Sequence, residues 1–387
     1  MIPLNEPVIN GREITFIKST IKKKWISTFG QYKEEFERKL IKITKSKNVV
    51  SVSSGTAALH LALRTLEIKK DEEVLVPSLT FIATVNAIKY VSANPVFMDV
   101  GNGHNLDVKK TIEFLNKKTI FKKSATYNLK TKKKISAIVI VHLWGNALDF
   151  FELKKICKKK NIYIVEDASE GLGTLYLKGK FINKHVGTIG DIGCLSFNGN
   201  KIITTGSGGA ILTDNYKIAK KVRYLADQAK DNSIKYIHND IGYNYRLPNL
   251  NAAFGCGQLK ELNQYLQARK NNYFFYKNFI NKISGLKMLA PQDYSKSNFW
   301  MNVLTIDSNV IKKSPYFFHK KLLLKGIQTR MVWKPNHLQK KYKNYEKYKV
   351  SNSQKIFDTS LCIPSSANLN KSKLKKICNS IKEIAIN

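Results

Sequence analysis

Between residues 48 and 167 the chain alternates short apolar runs with stretches of helical period, and this alternation restricts the fold more than any other feature. The runs Asn48–Ser53, Glu73–Pro77, Asn94–Val100, Ile135–Val141 and Asn161–Val165 have strand length and are rich in β-branched residues. A helix opening at Gly55-Thr56, then Ile82–Val91, Asn105–Asn116 and Asp149–Lys160, fill the intervals. Strands separated by helices pair in parallel through right-handed crossovers, which predicts an α/β fold with a mainly parallel sheet. In such sheets ligands bind at the carboxyl ends of the strands. Gly55 and Thr56, Phe81, His142 and Asp167 all fall at such ends, so one pocket could collect them.

The flanks are less regular. Gly11–Lys24 and Gln31–Ile43 read as amphipathic helices, with Trp25–Gly30 a turn that brings aromatic side chains inward or into a cleft. Lys117–Lys134 reads as a solvated lysine-rich insertion, and no role is assigned to it. Asn215–Lys230 is helical, whereas Ile237–Asn249 is polar and aromatic with no period. Leu250–Lys270 reads as one helix leading into a smaller unit. That unit holds a helix Asn271–Ile283, strands near Trp300–Ile306 and Ile327–Val332, and a closing helix Lys371–Ala385. The expected division is a large domain over 1–260 with an N-terminal helical segment, and a small α+β domain over 261–387.

The stretch Leu195–Ile211 reads as an apolar strand ending at Ser196, a polar loop, a β-branched run Ile202–Thr205 and a glycine-rich turn. Lys201 stands there without a charged neighbour, in a chain whose lysines mostly come in runs. Two readings are open. Held in a cleft, a desolvated lysine favours its neutral form, a nucleophile able to form a Schiff base with an aldehyde. Otherwise it is a surface lysine in a hairpin loop. Asp167, after a buried IYIV run, has two readings of its own: a helix N-cap, or a carboxylate paired with a protonated ring nitrogen. Gly55-Thr56 opens a helix whose free N–H groups suit an anion, or it follows a plain Ser/Thr cap. Phe81 is a stacking surface for a flat ligand or a core aromatic.

Net charge is +38, from 66 basic and 28 acidic residues. Taken bare, this points to a polyanion partner. Only Arg12, Arg38, Arg64, Arg223, Arg246, Arg269 and Arg330 are arginine, the residue suited to bidentate phosphate and guanine contacts. The lysines spread along the whole chain, as a biased composition gives, so no nucleic-acid partner is expected. A basic surface still draws in an anionic nucleotide. No apolar run approaches the ~20 residues of a membrane span, and the N-terminus shows no secretory signal. Cys157, Cys194, Cys256, Cys362 and Cys378 are scattered, which argues against a disulfide framework and fits a reducing cytoplasm. No GxxxxGK[ST], GxGxxG after the first strand, HExxH or GxSxG occurs, and the histidines show no metal spacing, so no metal is expected.

Five segments together carry a resemblance: SGTAALHLAL (54–63), PSLTFIATVNAI (77–88), EDASEGLGT (166–174), SFNGNKIITTGSGG (196–209) and GYNYRLPN (242–249). In this order and spacing the chain resembles the DegT/DnrJ/EryC1/StrS sugar aminotransferases from about Pro3 to the C-terminal helix. The resemblance implies the fold type I of pyridoxal 5′-phosphate (PLP) enzymes, with a seven-stranded sheet in the large domain. It implies that Lys201 holds the cofactor and moves a proton, while Asp167 pairs with the pyridine nitrogen. Phe81 would stack on the ring, Gly55, Thr56 and Ser196 would cradle the phosphate, and Glu170 would lie near the phenolic oxygen. Asn244 would reach the phosphate in the other subunit's site, which implies a homodimer with shared active sites. Arg246 lies close by, bracing that loop or facing substrate, and Asn200, Trp333 and His337 would border the sugar.

The wording of NGNKIITT and WKPNH resembles enzymes acting on UDP-4-keto-6-deoxy-N-acetylglucosamine, with L-glutamate as amino donor. GDP- and dTDP-linked sugars stay open. So does a non-catalytic binding protein on the same fold, which the charge motivates and the intact Lys201 and Asp167 oppose. Related sugar dehydratases carry histidine at the lysine position, and Lys201 stands against that reading.

Overall fold

The computed structural model of the chain describes residues 1–101 and 103–386. Seven strands form the centre, in the order Asn48–Val52, Gly209–Thr213, Ile192–Ser196, Tyr163–Asp167, Lys134–Val141, Glu73–Pro77 and Asn94–Met98. Gly209–Thr213 runs antiparallel to both its neighbours, and the remaining pairs along this order are parallel. The seven strands expected are therefore present, mainly parallel. Three more extend the sheet to ten: Lys347–Tyr348 lies parallel to Asn94–Met98, and a hairpin joins Lys134–Val141.

That hairpin corrects the reading of Lys117–Lys134 as a solvated insertion. Thr119–Lys122 and Ala125–Asn128 pair antiparallel across Lys123 and Ser124, both at positive φ. A two-residue turn with both φ values positive matches strand twist, but Asn-Gly is its usual signal, and Lys-Ser hides it. The lysines face solvent while Thr126 and Asn128 are buried, and Asn128 Nδ2 donates to Glu73 Oε2 at 2.8 Å.

Helices cover the central strands, so Val74, Leu75, Val76, Ile138 and Ile140 are fully buried. The helix Gly55–Thr65 leaves only Thr56 and Arg64 partly exposed. Its alanines let it lie close to the sheet, and each fully buried leucine contributes about 1.5–3 kcal/mol. Ile202–Thr205 forms no strand; the partner of Ile192–Ser196 is Gly209–Thr213. The β-branched run instead plugs the core as a loop, with Thr205 N–H and Thr204 Oγ1 both donating to Phe197 O.

A second apolar cluster lies further along the chain. It gathers Tyr273, Tyr276, Met288, Phe318, Leu361 and Ile381 around a four-stranded antiparallel sheet, and recruits Ile2 from the N-terminus. Helices Asn249–Leu259 and Leu262–Ile280 break at Lys260-Glu261. The second runs unbroken through Asn271, where the sequence suggested a new helix, because Tyr273, Tyr276 and Ile280 continue one buried stripe. The antiparallel sheet sets Arg330, Met331 and Cys362 against the carboxyl edge of the large sheet, and between the two lies the main cleft.

Candidate active site

The cleft is a cavity of about 390 Å³ lined by Gly55, Thr56, Phe81, Asp167, Glu170, Ser196, Asn200, Lys201 and Trp333, among others. All nine were singled out from the sequence. Each comes from a loop or helix start that follows a strand, apart from those at the ends of Tyr163–Asp167 and Ile192–Ser196 themselves.

Lys201 sits in a turn closed by its own N–H donating to Asn198 O at 3.0 Å. Its side chain keeps 14 % exposure. Burial pushes the ammonium below its ordinary range, against the pull of Glu170 and Asp167. Glu170 Oε1 is 3.9 Å from Lys201 Nζ. Burial raises the Glu170 carboxyl to about 8, although Lys201 and the Trp144 N–H oppose the rise. That N–H donates to Glu170 Oε2 at 2.7 Å. Burial thus moves the two titrations toward each other, the amine's down and the acid's up.

Asp167 ends its strand with both oxygens engaged: Oδ2 accepts from Thr84 Oγ1 at 2.7 Å and Oδ1 from Ser169 N–H at 3.1 Å. Thr84 belongs to the helix after Phe81, so the carboxylate is oriented by the crossover from Glu73–Pro77, a strand two places along the sheet. Ser54 caps the helix Gly55–Thr65 through Ala57 N–H. The N–H groups of Gly55 and Thr56 have no partner among the described residues and face the cavity with Ser196 and Ser207. A Cβ on Gly55 would stand 2.7 Å from Ser196 Cβ, so glycine is what admits the close approach.

Sequence reasoning missed an aromatic wall. Trp144 stacks on Trp333 with centroids 4.6 Å apart, Trp300 lies 6.3 Å from Trp144, and Lys201 Nζ lies 4.2 Å from the Trp300 centroid. Trp144 holds φ 61°, an outlier for a bulky residue. Asn105, Glu170 and the following Gly145 fix it there: Leu143 N–H donates to Asn105 Oδ1, and Gly145 O accepts from Thr174 and Ser297. Such long-range ties leave no mark in a local motif. Ser169, Thr84 and Ser207 lay inside segments already noted without being picked out.

Four expectations of position are corrected or placed elsewhere. His142 does not face the cavity: it is fully buried, Nε2 2.7 Å from Glu166 Oε2, with Nδ1 accepting from Leu148 N–H. His337 does not border it either, because Nδ1 is held 2.5 Å from Ser78 Oγ and Asn336 bonds Ser78 O and Thr80 O. Arg246 is outside this cavity, its Nη1 2.9 Å from Asp227 Oδ2 and its guanidinium over Phe29. Asn244 is exposed on the same loop and does not line the cavity.

A PLP site needs an anion seat, a carboxylate, an amine and room for a flat ring. The cavity supplies each. Asn200 Oδ1 is buried without a hydrogen-bond partner, which also fits a site shaped for a polar group. A desolvated lysine and an oriented aspartate in one cleft, at the carboxyl edge of a parallel sheet, are the parts of a PLP-dependent enzyme's site. Residues 7–382 match the DegT/DnrJ/EryC1/StrS aminotransferase family, and the chain belongs to it.

Relatives include the GDP-perosamine synthase of Escherichia coli O157:H7, 32% identical over 99% of this chain and 98% of that one. The UDP-4-amino-4,6-dideoxy-N-acetyl-beta-L-altrosamine transaminase of Campylobacter jejuni is 30% identical over 96% of this chain and 94% of its own. Among solved structures, Helicobacter pylori PseC, an aminotransferase involved in the biosynthesis of pseudoaminic acid, superposes with TM-score 0.88. It is 22% identical and covers 100% of this chain and 99% of that one, a likeness of fold. Among the described residues no helix is long and apolar enough to cross a membrane, and all five cysteines are free and buried.

Proposed function

We propose that the enzyme moves an amino group from L-glutamate to C4 of a nucleotide-linked 4-keto-6-deoxy sugar, with UDP-4-keto-6-deoxy-N-acetylglucosamine as the first substrate to test. The observation that carries the transamination is the amine of Lys201 in one cavity with Asp167, under a wall of three tryptophans. Two relatives whose names contain a UDP-linked amino sugar and GDP-perosamine support a sugar nucleotide as acceptor.

The cofactor, when bound, supplies an electron sink for the carbon that loses and gains the amino group. Lys201 Nζ would hold it, and the same amine would take a proton from the donor's α-carbon and return one to the sugar's C4. A neutral Nζ is required for that first transfer, and burial works in that direction by lowering the ammonium's titration. Asp167 would keep a ring nitrogen protonated, its carboxylate oriented by Thr84 Oγ1 on one oxygen and Ser169 N–H on the other. Gly55, Thr56 and Ser196 bind the phosphate through a helix start and hydroxyls. Glu170 would serve the phenolic oxygen, and Phe81, whose ring centroid lies 5.5 Å from that of Trp333, would flank the cofactor's ring. Asn200 and Trp333 border the sugar. Asn244, exposed beyond its own cleft, reaches the site of a second copy, so the working unit is a homodimer.

The experiment is incubation with glutamate and a panel of UDP-, GDP- and dTDP-4-keto-6-deoxy sugars, read by mass spectrometry. A mass shift from keto to amino on the UDP sugar is expected. The GDP sugar reacting alone moves the assignment to the chemistry named in the Escherichia coli relative. Lys201→Ala is expected to give no borohydride-trapped cofactor adduct in the intact mass spectrum. An adduct retained in that variant removes Lys201 from the role.

A further inference from the structure

A second cavity, of about 350 Å³, shares no lining residue with the cleft. Three neighbouring strands of the small antiparallel sheet build one side of it. They set Lys287 opposite Thr305 and Thr305 opposite Ser360. Leu286, Met288, Leu304, Ile306 and Leu361 on either side of that row fill the small core, so strand alternation turns the row to the other face. The helix Ser351–Thr359 adds Lys355. His104 comes from the opposite wall, on the loop that follows Asn94–Met98 of the large sheet.

Two of these groups are buried with hydrogen-bonding capacity left over. Ser360 is 1% exposed, and its Oγ has no partner among the described residues. His104 is 4% exposed, and burial pushes its titration down to about 4, so the ring is neutral at neutral pH. Its Nδ1 accepts from Trp144 Nε1–H at 3.2 Å, which puts the ring's proton on Nε2. That second N–H has no partner among the described residues. An unpaired buried polar group costs about 1–3 kcal/mol, so two such groups on one cavity point to a ligand that answers them.

The charge of the lining says which ligand. It holds no carboxylate and two exposed lysines, Lys287 and Lys355, neither ion-paired among the described residues. Acids close by in the chain are bonded elsewhere: Asp99 to Lys110 and Ser353, Asp307 to Asn309 N–H, and Asp358 to Gln354. Ammonium groups suit a phosphate as point charges, and the hydroxyls of Thr305 and Ser360 with the imidazole N–H supply directed donors for its oxygens. Met288, Leu289, Ala290 and Ile356 add an apolar side for a short carbon chain.

We propose that this cavity is a second binding site, for a small phosphate monoester, held by Lys287 and Lys355 at the mouth and by Thr305, Ser360 and His104 deeper in. An anion accepting from His104 Nε2–H makes Nδ1 a stronger acceptor for the Trp144 indole. Trp144 stacks on Trp333 in the cleft, so occupancy of the cavity reaches the catalytic wall through one hydrogen bond.

The test is calorimetric titration of the PLP-loaded enzyme with inorganic phosphate and with glycerol 3-phosphate, at a fixed ionic strength of about 0.15 M so that screening stays constant. The double variant Lys287→Gln with Lys355→Gln is compared with Lys375→Gln with Lys376→Gln, a charge-matched pair at exposed positions of the closing helix. Saturable binding is expected, weakened about tenfold or more in the first variant and unchanged in the second. Tryptophan emission of the wild type is expected to change along the same binding curve, and Trp144→Phe to lose that change while still binding phosphate. An emission change that persists in Trp144→Phe overturns the link to the wall. No saturable binding of either probe overturns the site itself. So does equal weakening in both lysine variants, which reduces the effect to net charge, and so does no weakening in the first, which places the anion elsewhere.

Discussion

At the scale of single residues, the cleft sets a potential cation and a potential anion side by side where burial opposes both charges. Glu170 and Lys201 are both buried, 3.9 Å apart, and burial moves their titrations toward each other. An amine that must accept a proton cannot stand beside a fully ionised carboxylate without being held as ammonium. The raised Glu170 carboxyl removes that obstacle at neutral pH. It also has a sign in stability. The folded value is about 8 against an ordinary 4.5, so the folded chain binds this proton more tightly than the unfolded one. The stabilisation is complete below pH 4.5 and is lost as pH rises through 8. Glu170→Gln cannot ionise. In the cofactor-free chain its stability relative to wild type is therefore expected to increase between pH 5 and pH 9, by on the order of a few kcal/mol. Urea unfolding at the two pH values measures it. A difference that does not change with pH means Glu170 titrates as an ordinary carboxylate.

At the scale of elements, the catalytic edge depends on ties running under it. Glu166, one residue before Asp167 and on the opposite face of the strand, accepts from His142 Nε2 and from the N–H groups of Gly187, Ile189 and Gly190 at 2.6–2.8 Å. Burial alone would raise its carboxyl, but His142 and these N–H groups hold it below the ordinary range. Glu166→Gln turns an amide toward donors and strands a buried cluster, with an expected loss of about 3–5 kcal/mol at neutral pH. Because the folded value is lowered, this stability is present above the ordinary 4.5 and fades as pH falls below it. Denaturation at pH 7 and pH 4 should show the gap between variant and wild type shrinking in acid. A gap that stays constant would mean that the carboxylate's charge contributes nothing. The same pair shows what sequence can convey. The strand-helix alternation of 48–167 and the positions of Gly55, Phe81 and Asp167 were legible, since strand ends follow from period and the sheet fixes where they gather. His142 was misplaced because a strand end alternates inward and outward, and only the buried partner Glu166 shows which way it turns. Trp144, Trp300 and Arg330 were silent because the two walls that bring them together lie more than a hundred residues apart.

At the scale of the whole molecule, +38 on 387 residues is a surface property more than a binding device. The guanidiniums that would grip a polyanion are mostly paired with acids of the same chain, Arg223 with Glu37 and Arg246 with Asp227 among them. Many acids are committed as well, Glu67 to Lys221, Glu113 to Lys349 and Glu383 to Lys325. The excess lysines therefore repel one another across the surface and attract anions from a distance. Both effects are long-range and respond to salt, because the screening length falls from about 30 Å at 0.01 M to about 8 Å at 0.15 M. They respond in opposite directions. Screening the repulsion between lysines favours the compact chain, so the melting temperature is expected to rise by a few degrees, on the order of 2–4 °C per kcal/mol relieved. Screening the attraction slows capture of an anionic nucleotide sugar, so kcat/KM is expected to fall severalfold over the same range while kcat holds. Thermal melts and initial rates on the same salt series test the two together. A melting temperature that climbs with no change in kcat/KM confines substrate capture to the cleft itself. A kcat/KM that falls with no thermal gain shows instead that the lysines lie far enough apart not to burden the fold.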